Sequence, residues 1–153
     1  MTQQQNIERN VGFLIHDLAR LMRKSFDRRL EPLGMTRSQW WVLAFVFRQQ
    51  GLTQSELADV LDIGKVALGG LLDRLEAKNW IERRADDNDR RIKRIYLAPQ
   101  ATPVIKSMTN PAQDLIADAL TGLTPTQQAA LTDMLLVVKK NLTEDDPVAG
   151  RAG

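Results

Sequence analysis

Between Thr53 and Leu97 a set of local signals in fixed order constrains the fold more than any other stretch of the chain. Thr53-Gln54-Ser55-Glu56 is a capping box: the threonine hydroxyl satisfies an orphan helix amide, and the glutamate three residues on reaches back. It predicts a short helix through Leu57, Ala58, Val60 and Leu61. Asp62-Ile63-Gly64 turns the chain, and a second helix is expected from about Lys65 to Lys78 with Leu68, Leu71, Leu72 and Leu75 inward. Asn79 stands where a left-handed residue closes a helix, a conformation asparagine tolerates. Trp80-Ile81-Glu82-Arg83 and Ile92 to Leu97 carry β-branched and aromatic residues on either side of the polar stretch 84–91. Two short strands around such a loop predict a hairpin with an exposed, charged tip.

The flanks are helical. Ile7, Val11, Leu14, Leu18, Leu21, Met22, Phe26 and Leu30 recur in steps of three and four, predicting one long helix over Ile7–Leu30 that Glu31-Pro32-Leu33-Gly34 ends. A stripe of that length at the edge of a small protein needs a partner chain to bury it. Thr36-Arg37-Ser38-Gln39 is another capping box and opens a helix through Trp40, Trp41, Leu43, Ala44 and Phe47, expected to be buried on most sides. After Pro99, helical spacing returns through Val104, Ile105, Met108, Leu115, Ile116 and Leu120, with Pro111 expected to kink or break it. Thr124-Pro125-Thr126-Gln127 starts a last helix with Leu131, Leu135, Val138 and Leu142 along one face. The fold class is mainly α (α+β). The organisation expected is an N-terminal dimerisation helix over 1–34, a head over 35–98, C-terminal dimerisation helices over 99–144 and a disordered tail over 145–153.

Composition removes several function classes. The 153 residues include no cysteine, which excludes a disulfide scaffold, a thiolate metal site and a catalytic thiol. One histidine, no glycine-rich phosphate loop and no metal-spaced ligand set leave no catalytic residues, metal or cofactor to propose. His16 and Asp17 are neighbours in sequence but point to different helix faces, so they form no acid–base pair. The longest apolar run, Trp40 to Phe47, is too short to span a bilayer, and Met1 to Asn10 lacks the apolar core of a secretion signal. Cytoplasmic localisation without membrane association is the expectation.

Helix, turn, helix and charged hairpin together match a helix-turn-helix followed by a β-wing, an arrangement that sets helix residues against base edges while a basic loop follows the phosphates. Arg83, Arg84, Arg90, Arg91, Lys93 and Arg94 are basic, yet Asp86, Asp87 and Asp89 lie among them. A purely electrostatic footprint would omit the acids; Asp89 makes sense as the partner holding an adjacent arginine in one rotamer. The competing reading is a solvated hairpin whose charges serve solubility.

Leu57-Ala58, Leu72-Asp73-Arg74-Leu75-Glu76, Trp80-Ile81-Glu82-Arg83 and Asp89-Arg90-Arg91 before Ile95-Tyr96-Leu97 resemble the MarR family of bacterial regulators. The resemblance extends over nearly the whole chain. It implies a homodimer intertwined through the first and last two helices, with double-stranded DNA as partner and an arginine from each wing in a minor groove. Arg90 or Arg91 is then the wing-tip residue and Asp89 its support. Lys65, Val66, Ala67, Gly69 and Gly70 line the exposed face of the recognition helix, and Ser55, Arg74 and Arg84 complete the expected DNA-binding set. Where family members often carry serine, threonine or arginine, this chain has Val66-Ala67-Leu68-Gly69-Gly70; the glycines allow either close backbone approach to DNA or tight packing on another helix. The same resemblance implies a repressor released by a small, often phenolic or carboxylated, effector. His16, Arg20, Trp40 and Trp41 are the candidates for holding it; alternatively, His16 bonds at the dimer seam and the tryptophans are core. A helical protein-interaction adaptor without DNA specificity is the alternative function.

Overall fold

The structure, a computed structural model, describes residues 7–143, so the tail expected at 145–153 lies outside the described residues. Helix α1 spans Val11–Leu30 rather than beginning at Ile7, because the Asn10 side chain accepts hydrogen bonds from the backbone N–H groups of Gly12 and Phe13 and starts a new helix there. A 3₁₀ turn, Glu31–Leu33, follows, and Gly34 at φ 63° closes it. Helix α2 spans Arg37–Arg48 behind the expected Thr36 capping box, with both reciprocal bonds present. It buries Gln39, Val42, Leu43 and Val46, but Trp41 and Phe47 are exposed, so it is less enclosed than its apolar run predicts.

Helices α3 (Gln54–Leu61) and α4 (Lys65–Ala77) form the helix-turn-helix. The Thr53 capping box opens α3, Asp62 at φ 52° makes the turn, and Asn79 at φ 58° closes α4. Strands β2 (Ile81–Ala85) and β3 (Lys93–Leu97) pair antiparallel with Arg83 opposite Ile95. A third strand, β1 (Leu52–Thr53), extends the sheet beyond the expected hairpin, giving the order β1-β3-β2 with Leu52 opposite Ile95. Two residues carry no periodicity, so the sequence offers no pattern for it.

Helix α5 spans Thr102–Ala119 and runs through Pro111, so of the expected kink or break the break does not occur. Proline leaves the carbonyl four residues earlier without a helical donor. Nearby, the Trp40 indole Nε1–H donates to the carbonyl oxygen of Met108 at 3.1 Å, tying α5 to the head. Helix α6, Pro125–Thr143, starts at the expected Thr124 box. The core joins Phe26 and Leu30 of α1, Val42 and Leu43 of α2, Leu68, Leu72 and Leu75 of α4, Ile81 and Ile95 of the sheet, and Met108 and Leu115 of α5. By contrast, α6 buries no residue, and Val11, Leu14, Leu18 and Leu21 of α1 stay exposed. No helix among the described residues is long and apolar enough to cross a membrane.

Candidate nucleic-acid interface and adjoining cavity

The exposed start of α4 presents Lys65, Val66 and Ala67, followed by the partly covered Gly69 and Gly70. A Cβ added at Gly69 would meet Gln54 Nε2 at 3.5 Å, and one at Gly70 would meet Arg74 Nη2 at 3.7 Å. Both are ordinary van der Waals separations, so packing within the chain requires neither glycine. Ser55 lies exposed on the first turn of α3, and Arg74 is exposed on α4 with no carboxylate in ion-pair range among the described residues.

The wing sorts its charges into structural and free. Arg83 Nε donates to Glu76 Oε2 at 2.6 Å and Nη2 donates to Asp73 Oδ1 at 2.5 Å, both on α4. Burial pulls the Arg83 guanidinium down, but its hydrogen bonds to Asp73 and Glu76 outweigh that and hold it above its ordinary value. Arg94 donates to Asp86 Oδ1 through Nε at 2.5 Å and to the Gly51 carbonyl through Nη1 at 2.8 Å. Arg84 lies over the Tyr96 ring, 4.3 Å from its centroid, and donates to Glu82, so this DNA-binding candidate is engaged inside the wing. Asp89 Oδ1 accepts from both the backbone N–H and Nε of Arg91, at 3.1 and 3.2 Å. Between the two wing-tip candidates, Asp89 therefore orients Arg91, whereas Arg90 and Lys93 are exposed with no carboxylate partner among the described residues.

Asp86 organises the loop. Besides Arg94, its carboxylate accepts from the backbone N–H groups of Asn88 and Asp89 at 3.0 and 3.1 Å. The bond from Arg94 chiefly, then those from Asp89 and Asn88, hold its carboxyl below the usual carboxylate range. A carboxyl depressed in the folded state stabilises above its unfolded pKa of about 3.9, and that contribution is lost as pH falls through the lower folded value. Asp86→Asn presents an NH₂ either to Arg94 or to the two amides. We expect it to loosen the wing at neutral pH and to remove part of the acid-side loss of wing order, read as protection of the Asn88 and Asp89 amides against pH. Unchanged protection across the titration would contradict this role.

A cavity of about 670 Å³ lies between α2, the end of β3 and α5, with Trp40, Ala44, Phe47, Leu97, Ile105 and Met108 among its walls and Arg48 and Lys106 among its lining residues. Only Trp40 of the four effector candidates lines it. Trp41 instead lines a smaller pocket with Phe45, Leu61, Ile63 and Leu71. His16 and Arg20 sit exposed on α1, Arg20 Nη2 lying 3.7 Å from Asp17 Oδ1. The structure does not bring the four together within one chain. Arg48 and Lys106 carry only a faint sequence signal, a cation beside apolar residues on each of two helices.

A family model described as the MarR family matches residues 33–92. Among solved structures, the wild-type apo form of MarR from E. coli is 30% identical, covers 84% of this chain and 96% of its own, and superposes with a TM-score of 0.77. A cysteine variant of E. coli MarR complexed with operator DNA is 30% identical over 84% of this chain and 92% of its own, with a TM-score of 0.74. The transcriptional regulator PA3341 is 34% identical over 88% of this chain and 99% of its own, with a TM-score of 0.75.

Proposed function

The chain belongs to the MarR family of transcriptional regulators, and on that premise we propose that it binds a pseudo-palindromic operator as a homodimer, represses from it, and is released by a small aromatic or phenolic carboxylate. The observation that carries the DNA reading is Arg91: its side chain is 92% exposed yet aligned by Asp89 at the wing tip. An oriented, uncovered guanidinium suits the negative potential of a narrow minor groove. Val66, 92% exposed at the start of α4, presents an apolar group suited to a thymine methyl, and Lys65 beside it suits guanine or phosphate. The E. coli relative complexed with operator DNA supports the duplex-binding reading. Ser55 and Arg74 contact phosphate, and Gly69 and Gly70 let the α4 backbone approach the duplex.

The unpartnered apolar side chains of α1 and α6 support dimerisation: Leu14, Leu18 and Leu21 on one, Leu135, Val138 and Leu142 on the other. For the effector, the cavity offers Trp40 and Phe47 for stacking and Arg48 and Lys106 for a carboxylate. Because α2 and α5 both wall it, an occupant that favours one arrangement of the head biases DNA binding. A thermal-shift screen of aromatic acids and their thioesters tests this, since a ligand of the native state raises its melting temperature. We expect a hit that also releases DNA, and whose shift falls on Lys106→Ala. His16→Ala keeps DNA binding; loss of ligand-driven release would give His16 an effector role, and unchanged release would leave it at the dimer seam. A complete screen without a hit would overturn the effector reading while leaving the DNA reading intact.

A further inference from the structure

We propose that Arg83 is a positioning residue for DNA reading: it clamps the wing to the recognition helix and so sets specificity without touching the duplex. This rests on the reading of the chain as a duplex-binding regulator.

By composition Arg83 belongs with the hairpin cations that would follow the phosphates. Its surroundings exclude that use. Its side chain is 25% exposed and its guanidinium bridges two carboxylates, Asp73 and Glu76, spaced i, i+3 on α4. One cation between two anions leaves the cluster net negative, so it offers phosphate no attraction. The planar fork instead fixes β2 against α4 at a defined distance and angle.

Position along the strand gives the clamp its leverage. Ile81 is buried at the base of β2, while Arg84 and Ala85, beyond Arg83, are exposed. Arg83 is thus the outermost β2 side chain bonded to the recognition helix. On the other strand Arg94 performs the matching task, joining Asp86 of the loop to the Gly51 carbonyl. At about 3.3 Å per residue, the tip lies roughly 15 Å beyond Arg83, so a swing of about 10° there displaces Arg91 by roughly 2–3 Å. A helix in one groove and an arginine in the next are read together only if their separation is fixed.

The test compares wild type, Arg83→Lys and Arg83→Gln on two duplexes: one recovered by selecting a random-sequence pool with the wild-type protein, and its scrambled counterpart. Affinity is measured across a salt series, with melting temperature recorded alongside. Arg83→Lys keeps the charge but cannot hold both carboxylates in a fork, so it stays informative if Arg83→Gln folds poorly. We expect both variants to lose about tenfold in affinity for the selected duplex, the scale of one good base contact. The scrambled duplex should be bound as by wild type, with the salt slope unchanged. A salt slope reduced by about one with both duplexes weakened equally would make Arg83 a phosphate contact and overturn the clamp. Lower melting temperature with unchanged affinity for both duplexes would overturn it too. Failure of wild type to bind any duplex would instead overturn the reading on which the clamp rests.

Discussion

Leu18→Asp is expected to give a folded monomer whose operator affinity is lower by about 10²–10⁴, the avidity lost when two half-sites are no longer read by one particle. Within the chain Leu18 is 54% exposed, so the substitution costs the monomer fold little. It lies on the α1 stripe with Val11, Leu14 and Leu21, whereas Phe26 and Leu30 on the same helix are consumed by the chain's own core. A two-fold interface repeats every change, so one substitution sets two carboxylates into an apolar seam. Sedimentation equilibrium gives the mass and a binding titration the affinity. A dimer with wild-type affinity would remove this part of α1 from the interface.

Arg91→Ala should weaken binding to the selected duplex by about 1–3 kcal/mol, roughly five- to 150-fold, while Arg9→Ala, outside the hairpin, changes little. The asymmetry follows from order as well as charge. Asp89 biases the Arg91 guanidinium toward one orientation at the wing tip, which lowers the side-chain entropy still to be lost on contact. Arg90→Ala should cost less, because no carboxylate among the described residues orients Arg90. Equal losses from Arg91→Ala and Arg9→Ala would mean that the wing contributes only diffuse charge.

What the sequence made legible was what its neighbours in sequence determine. The capping boxes at Thr36, Thr53 and Thr124 each close within four residues, and all three form as expected. Asn79 takes the left-handed conformation its place after α4 requires. The missed features need contacts made at a distance. Arg83 and Arg94 look like two more wing cations until Asp73, Glu76, Asp86 and Gly51 are folded against them. The cavity arises where α2 meets α5, some 60 residues later, and no periodicity in either helix announces a void between them. Local sterics predict a kink or a break at Pro111, but the Trp40 bond to Met108 and the burial of Met108 and Leu115 hold α5 against the head on either side of it, and the helix does not break. For His16 and Arg20, both exposed within one chain, i, i+4 spacing places two residues on one helix face but does not say what that face meets.

In the proposed complex, paired α4 helices, each with its own wing, read one duplex. Selection of a random-sequence duplex pool by the full chain, followed by sequencing of the bound fraction, reports that geometry in the recovered sequence. The predicted product is an inverted repeat with half-site centres about one helical turn, roughly 10 base pairs, apart. Recovery of a lone asymmetric half-site, or of no enriched sequence at low salt, would contradict it.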